Sequence, residues 1–301
     1  MVMRTFALMY HDVVAREEHE QSGFAGADAA LYKLDPAQFA AHLDAISEAV
    51  GDAAKPLCVF DLAGNAQTGK VKTGANGQGD ADGNMRGNAN GSRSGGGGGG
   101  GATPFLLTFD DGGRSAAMCI AGMLDERAWR GHFFVTTDYI GARSFVSREQ
   151  VRALHAGGHV VGSHSCSHPL RMAGCSRAQM VDEWQRSVAA LSEILGERVR
   201  VASVPGGHYS RAVAETAAEA GIEFLFTSEP TARAHTVDGC TVLGRYAIQR
   251  WTTAEAAAAI ATGKLAPRVR QALLWNAKKI TKRLGGEYYL KMRKTLVGHG
   301  S

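Results

Sequence analysis

The chain has 301 residues, of which 45% are hydrophobic, enough to bury the core of one barrel-sized domain or of two smaller ones. It contains no run of about 18 apolar residues, so the sequence predicts no transmembrane helix. The five cysteines are odd in number and include no Cys-x-x-Cys pair, which favours free thiols in a reducing cytoplasm over a disulfide framework.

The net charge of +4 is unevenly distributed. From Lys264 to the end, ten Lys and Arg residues are opposed only by Glu287, so the tail is strongly basic and the body before it is mildly acidic. Phosphate contacts need basic surface at the binding site. The distribution therefore argues against a nucleic-acid-binding body.

The first half of the chain holds few clear elements. Residues 6–10 predict a first strand rather than a signal peptide, and His11 and Asp12 follow it. Asp35-Pro36 predicts the start of a helix, with Asp as the cap and Pro at the first position. Residues 57–62 predict a short strand.

Residues 64–101 differ in composition from the rest of the chain. They are rich in Gly, Asn, Ser and Gln and end in seven consecutive glycines. Such a segment cannot bury enough apolar surface to offset its ordering entropy, so we expect a disordered insertion. A phosphate-binding loop is the alternative, but the strand–Gly-x-x-x-x-Gly-Lys–helix context is missing.

From Pro104 the sequence alternates between strand and helix patterns, which predicts a parallel sheet in a barrel or a doubly wound layer. Strands are expected at 105–109, 132–136, 159–163, 200–204, 223–227 and 241–243, and helices at 114–127, 147–156, 177–195 and 210–220. After Thr253 the pattern is helical. It ends in a basic amphipathic helix whose apolar face carries Val269, Leu273, Ala277, Ile280 and Leu284.

Three clusters of polar residues follow predicted strands. Thr108-Phe109-Asp110-Asp111-Gly112 ends the strand at 105–109, and two adjacent carboxylates need a cation or a shared proton nearby. In the second cluster, His164 and His168 follow the predicted strand at 159–163 and are four residues apart. This spacing predicts that both imidazoles lie on one side of a helical turn, where they can share a metal. With one carboxylate they form a two-histidine, one-carboxylate site that suits zinc and, less selectively, iron, cobalt or manganese.

The third cluster, Pro205-Gly206-Gly207-His208, is either a tight turn or a place where the backbone approaches a ligand and one N–H holds an oxyanion. Cys166 lies between the two histidines, and we expect it to point away from the metal.

These motifs together resemble the polysaccharide deacetylases of carbohydrate esterase family 4, whose shared unit is the NodB-homology domain. The resemblance rests on Thr-Phe-Asp-Asp-Gly at 108–112, His-Ser-x-x-His-Pro at 164–169 and Pro-x-Gly at 205–207. Leu8 to Asp12 is similar to the family's first strand, and 145–159 to the segment before its histidine motif. The resemblance covers roughly residues 4 to 245 and implies an irregular (β/α) barrel.

The resemblance also implies roles. Asp110 matches the general base, and Asp111, His164 and His168 match the ligands of a divalent metal, most suitably zinc. Pro205, Gly207 and His208 are then expected to bind substrate. The implied reaction is hydrolysis of the acetamido group of an N-acetylated sugar, with the metal activating water and Asp110 accepting its proton.

Two family features are missing. Ser203 stands where the third motif usually carries an Arg that orients the base, and no Leu-x-His supplies the acid after Val242-Leu243. Arg245 or Arg250 are alternatives for the first role, and His208 or His235 for the second.

We therefore expect a barrel over residues 1–262, a tail over 263–301 and a cytoplasmic hydrolase of acetylated carbohydrate in a polysaccharide or its precursor. The alternatives are a catalytically weak, metal-holding carbohydrate-binding protein and a hydrolase of a small non-sugar amide. The basic tail either packs on the barrel or contacts an anionic membrane surface or an assembly partner.

Overall fold

A curled nine-stranded sheet forms the centre of the protein in this computed structural model, which describes residues 4–51, 55–62 and 105–284. The strands are β1 Phe6–Tyr10, β2 Phe105–Phe109, β3 His132–Val135, β4 Val160–Ser163, β5 Val201–Ser203, β6 Phe224–Phe226, β7 His235–Val237, β8 Cys240–Leu243 and β9 Tyr246–Ala247. They are arranged in the order β7-β8-β6-β5-β4-β3-β2-β1-β9. Every pairing is parallel except that of β7 with β8.

Helices connect the strands and cover the outside of the sheet. They are α1 Ala27–Ala30, α2 Pro36–Val50, α3 Ala121–Asp125, α4 Arg148–Ala156, α5 Arg177–Leu195, α6 Arg211–Glu219, α7 Ala254–Ala261 and α8 Leu265–Leu284. A π-helical stretch, Ala116–Ile120, precedes α3, and single 3₁₀ segments lie at Arg16–Gln21, Thr137–Tyr139, Met172–Gly174 and Pro205–Gly207. Alternation of strands and helices around a parallel sheet confirms the irregular (β/α) barrel class.

The first two strands show how the sequence builds this sheet. All five residues of β1 and all five of β2 are buried, as expected for parallel strands covered on both faces. Their register pairs Tyr10 with Phe109. The residues that follow, His11 and Asp110, therefore leave the same edge of the sheet side by side.

The sheet curls far enough for its two ends to meet. Strands β8 and β9 lie near opposite ends of the strand order, yet only Gly244 and Arg245 separate them in the chain. The backbone N–H of Thr5, just before β1, donates to the carbonyl of Ala232, just before β7, at 3.2 Å. Gly244 fits this junction because a Cβ there would lie 2.5 Å from the carbonyl oxygen of Glu229.

Some expectations from the sequence are wrong or fall outside the described residues. Residues 57–62 form no strand; Leu57 donates one backbone bond to Phe105, and the chain then turns at residues 59 and 60. The strands at 235–237 and 246–247 were not predicted, because two or three residues carry too little periodicity to read. The insertion at 64–101 and the end of the tail at 285–301 lie outside the described residues.

The helices were predicted more accurately than the short strands. Side-chain capping boxes fix the starts of α4 and α5, where Ser147 and Ser176 each exchange hydrogen bonds with a Gln three residues on. Within the parts of the chain that the structure describes, every helix is too short or too polar to cross a bilayer.

A buried histidine fixes the end of the barrel opposite the carboxyl edge. The backbone N–H of Val59 donates to His132 Nε2 at 3.0 Å, so this nitrogen must be an acceptor. His132 Nδ1 then carries the proton and donates to the carbonyl of Leu107 at 3.0 Å. Burial lowers the pKa of His132 from 6.5 to about 4, because the charged form would be desolvated.

We predict that stability falls on acidification partly through His132. Its pKa is about 4 in the folded state and 6.5 in the unfolded state, so the unfolded chain binds the extra proton in that window. The contribution of neutral His132 to the free energy of unfolding is complete above pH 6.5 and is lost as the pH falls to 4. The total loss is about 3 kcal/mol. Urea unfolding between pH 7 and pH 4 should show a shallower loss for His132→Gln than for wild type. The exposed His235→Gln should behave like wild type, and equal slopes for all three proteins would contradict the prediction.

Candidate active site

The polar residues that follow the central strands meet at the carboxyl edge of the sheet. Asp110 and Asp111 follow β2, His164 follows β4, and Ser203 is the last residue of β5. All four side chains are buried. The structure thus brings together the aspartate and histidine motifs that the sequence places at strand ends.

Asp110 is held by a buried arginine from the junction between β8 and β9. Arg245 Nη1 donates to Asp110 Oδ1 and Arg245 Nη2 to Asp110 Oδ2, both at 2.7 Å. The guanidinium is fully buried and also donates to the carbonyl of Thr227 and to the hydroxyls of Thr108 and Ser203. Of the two arginines suggested by the sequence, Arg245 is the one that contacts the base candidate.

Two opposing effects set the ionisation of Asp110. Burial alone would raise its pKa, but the positive charge and hydrogen bonds of Arg245, with a smaller effect of His164, bring the pKa below its usual value. Asp110 therefore stays ionised at neutral pH. Since each carboxylate oxygen has a second lone pair, the carboxylate can still accept a proton from a bound water.

Asp111, His164 and His168 form the group of side chains suited to a metal. Asp111 Oδ1 lies 3.4 Å from His164 Nε2 and 3.5 Å from His168 Nε2. One candidate ligand atom from each residue lies within 4.8 Å of the other two, and no other such group of three occurs among the residues described. Asp111 has a positive φ of 77°, an uncommon and strained conformation for a non-glycine residue.

The hydrogen bonding of His164 fits a metal ligand. Its Nδ1 lies 3.1 Å from the carbonyl oxygen of Ser203, which can only accept, so Nδ1 carries the proton. The neutral ring then points the lone pair of Nε2 at the carboxylate of Asp111, and two acceptors in contact need a cation or a proton between them. Burial alone would lower the pKa of His164, but the two aspartates raise it above its usual value.

The two histidines come together through a loop, which corrects the expected helical turn. Ser165 and His168 both have positive φ, at 64° and 59°, so the chain turns back on itself between the two rings. Glu183 of α5 holds this loop from behind, accepting from the backbone N–H groups of Cys166 and Ser167 at 2.9 and 2.8 Å. Cys166 points away from the candidate ligands, as expected, and its thiol donates to Asp138.

The comparisons with known proteins agree with this geometry. Residues 98–225, from the aspartate motif through the third motif, match the family model for polysaccharide deacetylase. The match confirms the resemblance of this chain to the polysaccharide deacetylase family. Members of that family are hydrolases that act on carbon–nitrogen bonds other than peptide bonds, the reaction class that the sequence predicts. The polysaccharide deacetylase homologue YxkH of Bacillus subtilis strain 168 is 24% identical over 127 residues, 42% of this chain. The match spans 45%, about half, of that protein's own length.

Solved structures with low sequence identity share the fold. The Streptococcus pyogenes deacetylase PplD, in complex with acetate, is 16% identical with a TM-score of 0.62, over 85% of this chain and 96% of that one. IcaB from Ammonifex degensii is 19% identical with a TM-score of 0.59, over 86% and 97% of the two chains. A polysaccharide deacetylase from Bacillus cereus is 18% identical with a TM-score of 0.61, over 86% and 69%.

The third motif forms a tight loop directly after β5. Gly206 and Gly207 both have positive φ, and a Cβ on Gly206 would lie 2.4 Å from the carbonyl oxygen of Leu170. The expected substrate-binding residues Pro205, Gly207 and His208 lie in this loop. The close approach of Leu170 requires glycine at 206 whatever the loop binds.

His11 belongs to the site, although the sequence motifs gave it no role. It follows β1 directly beside Asp110, and its positive charge, when protonated, lowers the pKa of both Asp110 and Asp111. His11 Nδ1 is buried with no hydrogen-bond partner among the described residues, and its ring lies 4.6 Å from that of Tyr32. The signal in the sequence was its position: both His11 and Asp110 end predicted strands that pair side by side.

Asp12 packs against Gly113, the residue directly after the aspartate motif. Its Oδ1 accepts from the hydroxyls of Ser22 at 2.5 Å and Ser115 at 2.7 Å, so Asp12 joins three separate segments of the chain. Burial raises the pKa of Asp12, and the two serine hydroxyls partly offset this. A Cβ on Gly113 would lie 2.1 Å from Asp12 Oδ1, so this packing requires glycine at position 113.

We predict that the Asp110–Arg245 pair is energetically coupled. Arg245→Gln leaves a buried carboxylate without its counter-charge and should destabilise folding by about 3–5 kcal/mol. The double variant Asp110→Asn/Arg245→Gln removes both charges and should recover at least about 1 kcal/mol relative to Arg245→Gln alone. Chemical unfolding of wild type, Asp110→Asn, Arg245→Gln and the double variant measures the coupling energy. Strictly additive losses of stability in the double variant would contradict the pairing.

Proposed function

We propose that this protein is a metal-dependent hydrolase that removes acetyl groups from N-acetylated sugars of a polysaccharide or its precursor. The observation that carries the proposal is the contact between an arginine-held carboxylate, Asp110, and an adjacent Asp-His-His group at one edge of the sheet. The match to the polysaccharide deacetylase family model and the similarity to PplD, whose structure contains acetate, support an acetyl-releasing reaction.

Asp111, His164 and His168 would hold the metal. One carboxylate and two imidazoles suit zinc best and leave positions open for water and substrate, which is the catalytic arrangement. When bound, such an ion supplies Lewis-acid activation of water and of the amide carbonyl. The proton on His164 Nδ1 and the carbonyl of Ser203 fix the ring so that Nε2 faces Asp111 and would be free to bind the metal.

Asp110 would act as the general base. It is ionised, buried and fixed in orientation by two hydrogen bonds from Arg245, so it can take a proton from the attacking water without reorganisation. Ser203 adds a third contact, since its Oγ lies 3.3 Å from Asp110 Oδ2 while accepting from Arg245 at 2.7 Å. The short serine leaves room for the guanidinium to arrive from the β8–β9 junction rather than from β5.

His11 would donate the proton that the leaving amine requires. It stands beside Asp110 on the neighbouring strand, and its buried Nδ1 has no partner within the described parts of the chain. His235, suggested by the sequence, is exposed and its Nε2 bonds to the hydroxyl of Tyr209 at 3.0 Å. His208 follows Gly207 in the third-motif loop, and its assigned part in substrate binding with Pro205 and Gly207 remains a prediction.

We predict that metal binding and proton transfer separate cleanly by residue. Wild-type protein reconstituted with zinc should release acetate from N-acetylglucosamine oligomers. Asp111→Ala and His164→Ala should lose the metal and the activity together, because each removes a candidate ligand. Asp110→Asn should keep one equivalent of zinc, measured by atomic absorption, and lose activity by at least about a hundredfold.

Other outcomes would point to the alternative functions. Zinc bound by wild type without acetate release from any sugar would favour a carbohydrate-binding protein or a small non-sugar amide as substrate. Isothermal titration with the same oligomers separates these two, since only the binding protein should show heat of association. Loss of zinc in Asp110→Asn would contradict the division of roles between the aspartates.

We further predict that His11→Gln lowers kcat by about a hundredfold while zinc content stays unchanged. The alkaline limb of the pH–rate profile should disappear in this variant, because the limb reports loss of the proton donor. His235→Gln is the matched control and should keep both the rate and the limb. An unchanged alkaline limb in His11→Gln would show that another residue supplies the proton.

A further inference from the structure

The C-terminal helix α8 presents an apolar stripe to solvent. Leu265, Val269 and Leu273 recur at a spacing of four and are 68%, 43% and 64% exposed, and the adjacent Leu274 is 54% exposed. A surface helix of a globular protein normally turns such a stripe toward the core. The orientation found here leaves the stripe without a partner among the described residues.

The opposite side of α8 holds the helix on the barrel. Arg268 stacks over the rings of Phe6 and Tyr246 and donates to the hydroxyl of Tyr246 at 2.8 Å. One turn on, the side-chain amide of Gln271 donates to the carbonyl of Ala247 at 2.9 Å. These contacts fix the rotation of the helix, so the outward position of the stripe follows from polar anchors on the inner side.

The charges of this helix and of the residue before it are all positive. From Lys264 to Leu284 the sequence has seven Lys or Arg residues and no acidic residue: Lys264, Arg268, Arg270, Lys278, Lys279, Lys282 and Arg283. Lys264 and Arg270 are exposed beside the stripe. Apolar side chains next to unopposed cations match a surface that is both apolar and anionic.

Other occupants of the stripe fit less well. A second copy of α8 would bring two helices with six cations each side by side, and like charges repel. The chain's own segment 63–104 contains almost no large apolar residue that could cover the stripe. Residues 285–301 carry three further Lys or Arg residues against one Glu, so they add to the same positive charge.

We propose that α8 docks this protein on an anionic lipid surface, with the stripe Leu265–Val269–Leu273 inserted between headgroups. The helix also reaches the site, since Trp275 Cη2 lies 3.6 Å from the position of a Cβ on Gly207 in the third-motif loop. Docking through α8 therefore places the candidate active site close to the lipid surface. This location suits a substrate carried by a membrane, and the docking itself does not depend on the proposed deacetylase activity.

Vesicle co-sedimentation of the full-length protein tests the proposal. Wild type should bind vesicles of phosphatidylglycerol and phosphatidylcholine at low salt and bind pure phosphatidylcholine at least tenfold more weakly, and 0.5 M NaCl should weaken binding to the anionic vesicles. Val269→Ser/Leu273→Ser should lower the partition coefficient by at least about tenfold, since two apolar side chains no longer insert. Arg270→Gln should lower it by about fivefold.

Matched controls carry the same substitutions elsewhere on the surface. Met118 is 64% exposed, like Leu273, and Met118→Ser should bind as wild type does, as should Arg143→Gln at another exposed arginine. Circular dichroism verifies that every variant is folded. Equal binding by wild type and Val269→Ser/Leu273→Ser, or no wild-type binding to anionic vesicles, overturns the proposal. A wild-type dimer in sedimentation velocity that this double variant makes monomeric, without lipid binding, would instead assign the stripe to a second copy.

Discussion

The buried pair of Asp110 and Arg245 is the interaction on which the rest of the site depends. It joins the end of β2 to the junction between β8 and β9, which closes the curled sheet. A charged pair without water is stable only when its remaining hydrogen-bonding groups are satisfied. Here Thr108, Ser203 and Thr227 supply those partners, so the same contacts that orient the carboxylate also close the barrel.

Much of the fold and the centre of the site could be predicted from the sequence. Buried strands such as 105–109 read as continuous apolar runs, and parallel strands place their carboxyl ends at one edge. Asp111, His164 and His168 therefore converge whatever the details of the loops. Helix starts such as Ser176 were readable because the capping signal is local.

The parts of the site that the sequence did not predict depend on contacts between distant parts of the chain. The spacing of His164 and His168 predicted a helical turn, but Glu183, fifteen residues beyond His168, holds the intervening loop in another shape. Likewise, no local pattern separates Arg245 from Arg250 as the partner of Asp110, since the curl of the sheet decides which of them reaches it. The same holds for His11, whose place in the site follows from strand pairing rather than from a motif of its own.

The closing position of Arg245 has a consequence for how the protein acquires its active form. The segment 98–225 that matches the family model contains Asp110 and the three candidate ligands but not the counter-ion of the base. During synthesis the chain emerges from its N-terminus, so the early strands can assemble while Asp110 still lacks its guanidinium. A carboxylate in that unfinished barrel would favour protonation or access to water. The proposed general base thus obtains its counter-ion only where the last parallel strand of the sheet, β9, joins the first, β1.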